Sequence, residues 1–166
     1  ADAFYKGPIA QSIVLAVRGS KRNRGGMTLA DLANYRAVKR KPVCAPYRAK
    51  LICGMGPPSS GGLTILQILG LLAGFDLKNM TPASLEAVHL VGEASALAFA
   101  DRNTYIGDSD FVSVPADGMI DAGYLNRRAQ KINISRAGGR RKAGNPNVPG
   151  ALLLSPHEGY EGPSTT

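Results

Sequence analysis

The chain has no tryptophan, and its aromatic content is only 6%. A surface that stacks nucleic-acid bases is therefore not indicated, because stacking needs aromatic faces interleaved with cations. Two cysteines and two histidines, in 166 residues, are too few for a metal site by themselves. The longest apolar run, Leu63 to Ala73, is broken by Thr64, Gln67 and Gly70 and is too short to span a bilayer. There is no Gly-x-Ser-x-Gly elbow, no phosphate-binding glycine-lysine loop and no dinucleotide fingerprint. These absences remove serine α/β-hydrolases, nucleotide-phosphate enzymes and dinucleotide enzymes, and we expect neither cofactor nor metal.

What is present is an ordinary globular complement, 44% apolar, enough for one domain with a sizeable core. The net charge of +8 comes from short scattered clusters, Lys21-Arg22-Asn23-Arg24, Lys39-Arg40-Lys41 and Arg140-Arg141-Lys142. We read them as a solvated basic surface and expect no nucleic-acid partner. A non-enzymatic basic module binding an acidic partner is the rival reading, and steep salt dependence would mark it. The chain does not begin with Met, and Ala1 to Tyr5 reads as helix interior, so we expect an incomplete chain.

Along the chain, Gly7-Pro8 opens a helix through Val17 with Pro at its first position. Gly19 to Gly26 is a basic loop. Thr28 with Asp31 three residues on has the form of a helix N-cap, opening a helix to about Tyr35. Arg36 to Met55 reads as two strands, with Val38 and Val43 in the first and Leu51, Ile52 and Cys53 in the second. A turn near Arg48-Ala49 sets Cys44 opposite Cys53. That register allows a disulfide or two buried free thiols, and the thiols are our expectation, since cross-strand geometry is often poor.

Pro57-Pro58 ends the second strand, and Ser59 or Ser60 is a cap for the next helix. From Leu63 to Leu72 apolar residues face nearly every side, which predicts a buried helix ending at Gly74 as C′. Thr81-Pro82 predicts a further helix to about Asn103, with Leu85, Val88, Ala94, Leu97, Ala98 and Phe99 on its apolar side. Gly92 and Ala96 would permit close helix approach. Asp117 to about Ile132 predicts one more helix. Residues 135–164 are rich in Gly, Pro, Arg and Asn and read as irregular. His89 with Glu93 at i+4 reads as a helix-surface pair. Asp101-Arg102 and Asp108-Ser109-Asp110 read as a helix end and an Asp-rich turn. Ser59 and Ser60 lack a nearby base and read as caps rather than nucleophiles.

Several segments together resemble the large-subunit half of a γ-glutamyltranspeptidase (glutathione hydrolase) precursor. They are Phe4 to Ala10, Gly25 to Leu32, Arg40 to Val43, Pro57-Pro58-Ser59-Ser60-Gly61-Gly62, and Phe99-Ala100-Asp101-Arg102 with Tyr105-Ile106-Gly107-Asp108 and Asp110-Phe111-Val112. Thr165-Thr166 aligns with the start of the family's Thr-Thr-His processing motif. The resemblance implies an α/β fold, helix-rich with a β-hairpin, forming part of an αββα N-terminal-nucleophile hydrolase sandwich. Residues 1–134 would be a partial large-subunit domain, and 135–166 an irregular Gly/Pro-rich segment leading to the processing site. It implies self-cleavage of the Ser164–Thr165 bond, after which Thr165 is the nucleophile that cleaves γ-glutamyl amides. The implied partners are a small subunit from the same precursor and glutathione or other γ-glutamyl compounds; cephalosporin acylases are the related alternative. The implied location is periplasmic or secreted. The family's processing histidine, oxyanion-hole residues and carboxylate-binding arginine lie outside residues 1–166, so the chain alone is expected to be inactive.

Overall fold

The computed structural model describes residues 1–146. The chain divides into two compact units, Ala1–Lys39 and Arg40 onward. The first unit holds three helices: α1 (Asp2–Tyr5), α2 (Pro8–Arg18) and α3 (Leu29–Asn34). Pro8 stands in the first turn of α2, where its missing N–H costs nothing. The Asp31 carboxylate accepts from the backbone N (2.7 Å) and hydroxyl (2.9 Å) of Thr28, closing the start of α3. The Thr28 backbone bond, then its hydroxyl, hold the Asp31 pKa below the usual carboxylate value.

The second unit begins with an antiparallel hairpin, β1 (Val43–Tyr47) and β2 (Lys50–Gly54). Tyr47 pairs with Lys50, and Cys44 faces Cys53 as the sequence register required. Arg48 supplies the left-handed backbone of the turn, φ 53°. Two sequence expectations fail here. Val38 lies outside the strand. The cysteines are bonded, Cα to Cα 4.1 Å, and are not buried thiols; Cys44 is half-buried and Cys53 exposed.

The core is built by α4 (Gly61–Leu72), α5 (Leu85–Tyr105), α6 (Ala116–Met119) and α7 (Ala122–Ala129). Leu71 and Leu72 of α4 pack with Leu90, Ala94, Leu97 and Ala98 of α5 and with Tyr124 and Leu125 of α7. Leu63, Tyr105 and Met119 form a second cluster, joined by Val43 of the hairpin. The predicted burial of α4 holds: Leu66 and Leu72 are buried, Ile68 and Leu69 half-buried. Helix approach uses Gly70, where a Cβ would run into Leu125 Cδ1, whereas Gly92 faces open space.

Helix limits differ from expectation for local reasons. α5 starts after Ser84, whose hydroxyl accepts from Ala87 N at 3.3 Å; Ala83, at φ 61°, keeps the expected start at Pro82 out of the helix. Of the expected apolar side of α5, Ala94, Leu97 and Ala98 are buried and are joined by Leu90, whereas Leu85, Val88 and Phe99 are exposed. α4 ends on Ala73 without a left-handed glycine at 74. The helix expected over 117–132 is split: Asp121 caps α7, its carboxylate accepting from Tyr124 N at 2.8 Å.

Candidate functional site

Asp101 lies inside α5, four residues before its end and 1% exposed, so it is not the helix-end group its sequence context indicated. Burying a carboxylate is costly unless its lone pairs are filled. Here they are. Oδ2 accepts from Tyr124 OH (2.6 Å) and Gln67 Nε2 (3.1 Å), while Oδ1 accepts from Arg128 Nη2 (2.7 Å) and Gly144 N (2.8 Å). Arg128 is equally buried, and its Nη2 also donates to Leu97 O at 3.1 Å. One carboxylate thus ties α4, α5, α7 and the segment after α7 together.

Burial, and then the hydrogen bond to the Asp101 carboxylate, push the Tyr124 pKa far above its ordinary value. Burial and the Asp101 charge raise Tyr105 as well. Both phenols therefore remain donors at neutral pH. Tyr105 OH donates to Gly144 O at 2.6 Å, so Gly144 is gripped at its N–H and its carbonyl together. A Cβ on Gly144 would collide with the Tyr124 hydroxyl and sit 2.8 Å from Arg128 Cδ, so the grip needs glycine.

A second carboxylate holds the same segment two helical turns earlier. Glu93 accepts from Gly138 N at 3.0 Å and pairs closely with Arg141. Burial raises its pKa, but the Gly138 N–H and the Arg141 guanidinium outweigh that and leave it below the ordinary 4.5. Its expected partner, His89, instead places Nε2 2.7 Å from Asn133 O. Residues 138–144 are thereby strapped along α5 with no helix or strand of their own. Glu93, Leu97 and Asp101 stand at i, i+4 and i+8 on one row of α5. Carboxylates at that spacing among Leu90, Ala94 and Leu97 were the available sign of buried anchors, and sequence reasoning passed it over.

The Pro57 to Gly62 turn abuts this core. A Cβ on Gly62 would strike the Met55 carbonyl, and one on Gly54 would come within 2.7 Å of the Gly62 Cα. The end of β2 thus crosses the first turn of α4 backbone to backbone, which is the physical demand behind the second glycine of the motif. Ser60 occupies the position before α4 but makes no capping bond. Its hydroxyl accepts from Arg102 Nε at 3.2 Å, while Ser59 Oγ accepts from Gly61 N at 3.4 Å. The two motifs, Pro-Pro-Ser-Ser-Gly-Gly and Ala-Asp-Arg, therefore meet through Ser60 and Arg102. The Asp-rich turn is clasped by Arg40, whose Nη1 and Nη2 lie 3.0 and 2.5 Å from the Asp110 carboxylate.

Among the described residues no group of His, Cys, Asp and Glu could hold a metal ion, and no helix is long and apolar enough to cross a membrane. In the first unit, Phe4, Tyr5, Met27, Leu32 and Tyr35 line an open apolar cup of about 530 Å³ beside Asp31. Ser164, Thr165, Thr166 and His157 lie outside the described residues.

The gamma-glutamyltranspeptidase family model matches residues 1–159. The chain belongs to that family. The glutathione hydrolase proenzyme of Escherichia coli K12 is 42% identical over 136 residues, covering 82% of this chain and 23% of the relative. The acylase ACY 1 proenzyme of Pseudomonas sp. SE83 is 39% identical over 136 residues, covering 82% of this chain and 24% of the relative. Helicobacter pylori gamma-glutamyltranspeptidase superposes with a TM-score of 0.68 at 34% identity, covering 97% of this chain and 43% of that one. The chain spans about a quarter of the length of the curated relatives it matches. The α/β fold, helix-rich with a single described hairpin, is thus part of the N-terminal-nucleophile hydrolase architecture.

Proposed function

We propose that this chain is part of the large-subunit half of a γ-glutamyltransferase/glutathione hydrolase precursor, and that Thr165 becomes its nucleophile when the Ser164–Thr165 bond is cleaved. The family match running through residue 159, directly into the approach to Thr165, carries the reading. In the proposed step the Thr165 hydroxyl attacks the Ser164 carbonyl, and the amide N–C bond gives way to an ester. Water hydrolyses the ester, leaving Ser164 as a carboxylate and Thr165 with a free α-amine. That amine serves as the base when the hydroxyl next attacks a γ-glutamyl carbonyl. The glutamyl ester then passes to water or to an acceptor amine.

The Asp101 and Glu93 straps fit this reading, since they hold residues 138–144, which precede Thr165 in sequence, against α5. The partner is the small subunit of the same precursor, with glutathione or another γ-glutamyl compound as substrate. The Cys44–Cys53 bond favours an oxidising compartment, periplasmic or secreted. A second reading, acylase action on a cephalosporin side chain, is favoured by the ACY 1 similarity. The test is turnover of a γ-glutamyl anilide by the completed, processed precursor, set beside a glutaryl-amide acylase substrate. The 166-residue chain alone is expected to turn over neither; γ-glutamyl turnover by the completed precursor that survives Thr165→Ala would overturn the proposal.

A further inference from the structure

The hairpin register sorts its residues onto two faces. Val43 and Tyr47 of β1 and Ile52 and Gly54 of β2 share the half-buried face, with Val43 reaching the second core cluster. Cys44 and Cys53 share the other face with Pro46 and Leu51, and Met55 follows two residues beyond Cys53. On that face Pro46 and Leu51 are exposed, Leu51 at 68%, and Met55, just beyond the strand, is exposed at 70%. The bridge therefore lies on the solvent side, and its two residues differ: Cys53 is exposed and Cys44 half-buried. Among the described residues these strands pair only with each other. A two-stranded hairpin is marginal in isolation, so the bridge and the packing of its other face share the task of closing it. An exposed disulfide is the kind that exchanges with free thiols, whereas buried structural ones resist.

We propose that Cys44–Cys53 is a thiol-exchange site for small thiols, attacked at Cys53. A thiolate approaches Cys53 Sγ from solvent, a new S–S bond forms, and the Cys44–Cys53 bond breaks. The electron pair leaves on Cys44 Sγ, which takes up a proton. A second thiolate attacks the outer sulfur of the mixed disulfide and releases the Cys53 thiol. In sum two small thiols are oxidised to one small disulfide, and the protein gains two electrons and two protons. Because Gly54 crosses Gly62 at the far end of β2, the exchange loosens the strand that abuts the Pro57 to Gly62 turn. The site stands on the hairpin alone and does not depend on which amide the protein cleaves.

The experiment uses the complete precursor and its processed form. Each is incubated with reduced glutathione and, separately, with N-acetylcysteine, which has no γ-glutamyl group. Samples are quenched in acid, alkylated and mapped by mass spectrometry. The expected result, from both thiols, is an early adduct on Cys53 with Cys44 alkylated, giving way with time to alkylation of both cysteines. Cys44→Ser, which removes the internal competitor, should accumulate a stable Cys53 adduct when given the oxidised form of either compound. Cys53→Ser should take up far less. An intact bridge in the folded protein, under conditions that open it after denaturation, would overturn the proposal. So would an adduct mapping to Cys44. Adduct formation with glutathione alone would equally overturn it, since a site reading only the thiol does not distinguish the two.

Discussion

Asp101–Arg128 and Asp110–Arg40 use the same two groups in opposite surroundings. The side chains of the first pair are 2% and 4% exposed, and those of the second 56% and 29%. Both are tightly hydrogen-bonded. Water competes for every bond of the exposed pair and salt screens it, so it clips a turn without contributing much to stability. No water competes at Asp101, and a charge left alone there has nowhere to go. The buried pair is therefore where three helices and the Gly144 segment depend on one another. Arginine–carboxylate geometry alone does not rank an interaction; the surroundings do.

Asp101→Ala probes the difference most strongly. It strands the Arg128 cation and frees Gly144, and should cost about 3–5 kcal/mol, read as a lowered urea midpoint of the precursor. A change as small as that of Arg40→Ala would break the contrast. Tyr105→Phe is gentler. It removes one hydrogen bond to the Gly144 carbonyl while keeping the ring, and should cost about 1 kcal/mol, with faster amide exchange after residue 143 as its local mark.

Acid titration separates the carboxylates in a third way. Glu93 and Asp110 both have folded pKa values below their ordinary ones, Glu93 through Gly138 and Arg141 against burial, Asp110 through Arg40. A depressed carboxylate contributes stability above its unfolded pKa, and that contribution is lost as pH falls through the folded value. Stability should therefore fall below about pH 4.5, the ordinary Glu value. Glu93→Gln should flatten this acid slope more than Asp110→Asn, as followed by thermal melts across pH. The smallest effect is expected from Arg40→Ala, whose melt should match that of the parent in high salt.

Much of this organisation is legible in the residues. Tyr47 and Lys50 flanking a two-residue turn set the Cys44–Cys53 register, and apolar residues all round α4 predicted its burial. Thr28 with Asp31 announced a helix start. What escaped depends on contacts distant in sequence. Asp101 and Glu93 read as polar helix positions because their donors, Gly138, Arg141 and Gly144, sit about 45 residues away in a segment with no pattern of its own. Ser60 read as a cap because Arg102, whose Nε donates to its hydroxyl, lies 42 residues on. The disulfide turned on geometry that spacing does not carry. Thr165 rests on resemblance, and its place lies outside the described residues.

Cleavage of the precursor at the Ser164–Thr165 bond is the step we propose. Expression of the complete precursor followed by N-terminal sequencing of its small fragment tests this directly. Thr165 should be the first residue. Thr165→Ala should leave the precursor whole, Thr165→Ser should cut more slowly at the same bond, and Thr166→Ala should still be cut there. A small fragment beginning at any other residue, or cleavage that survives Thr165→Ala, would contradict the account.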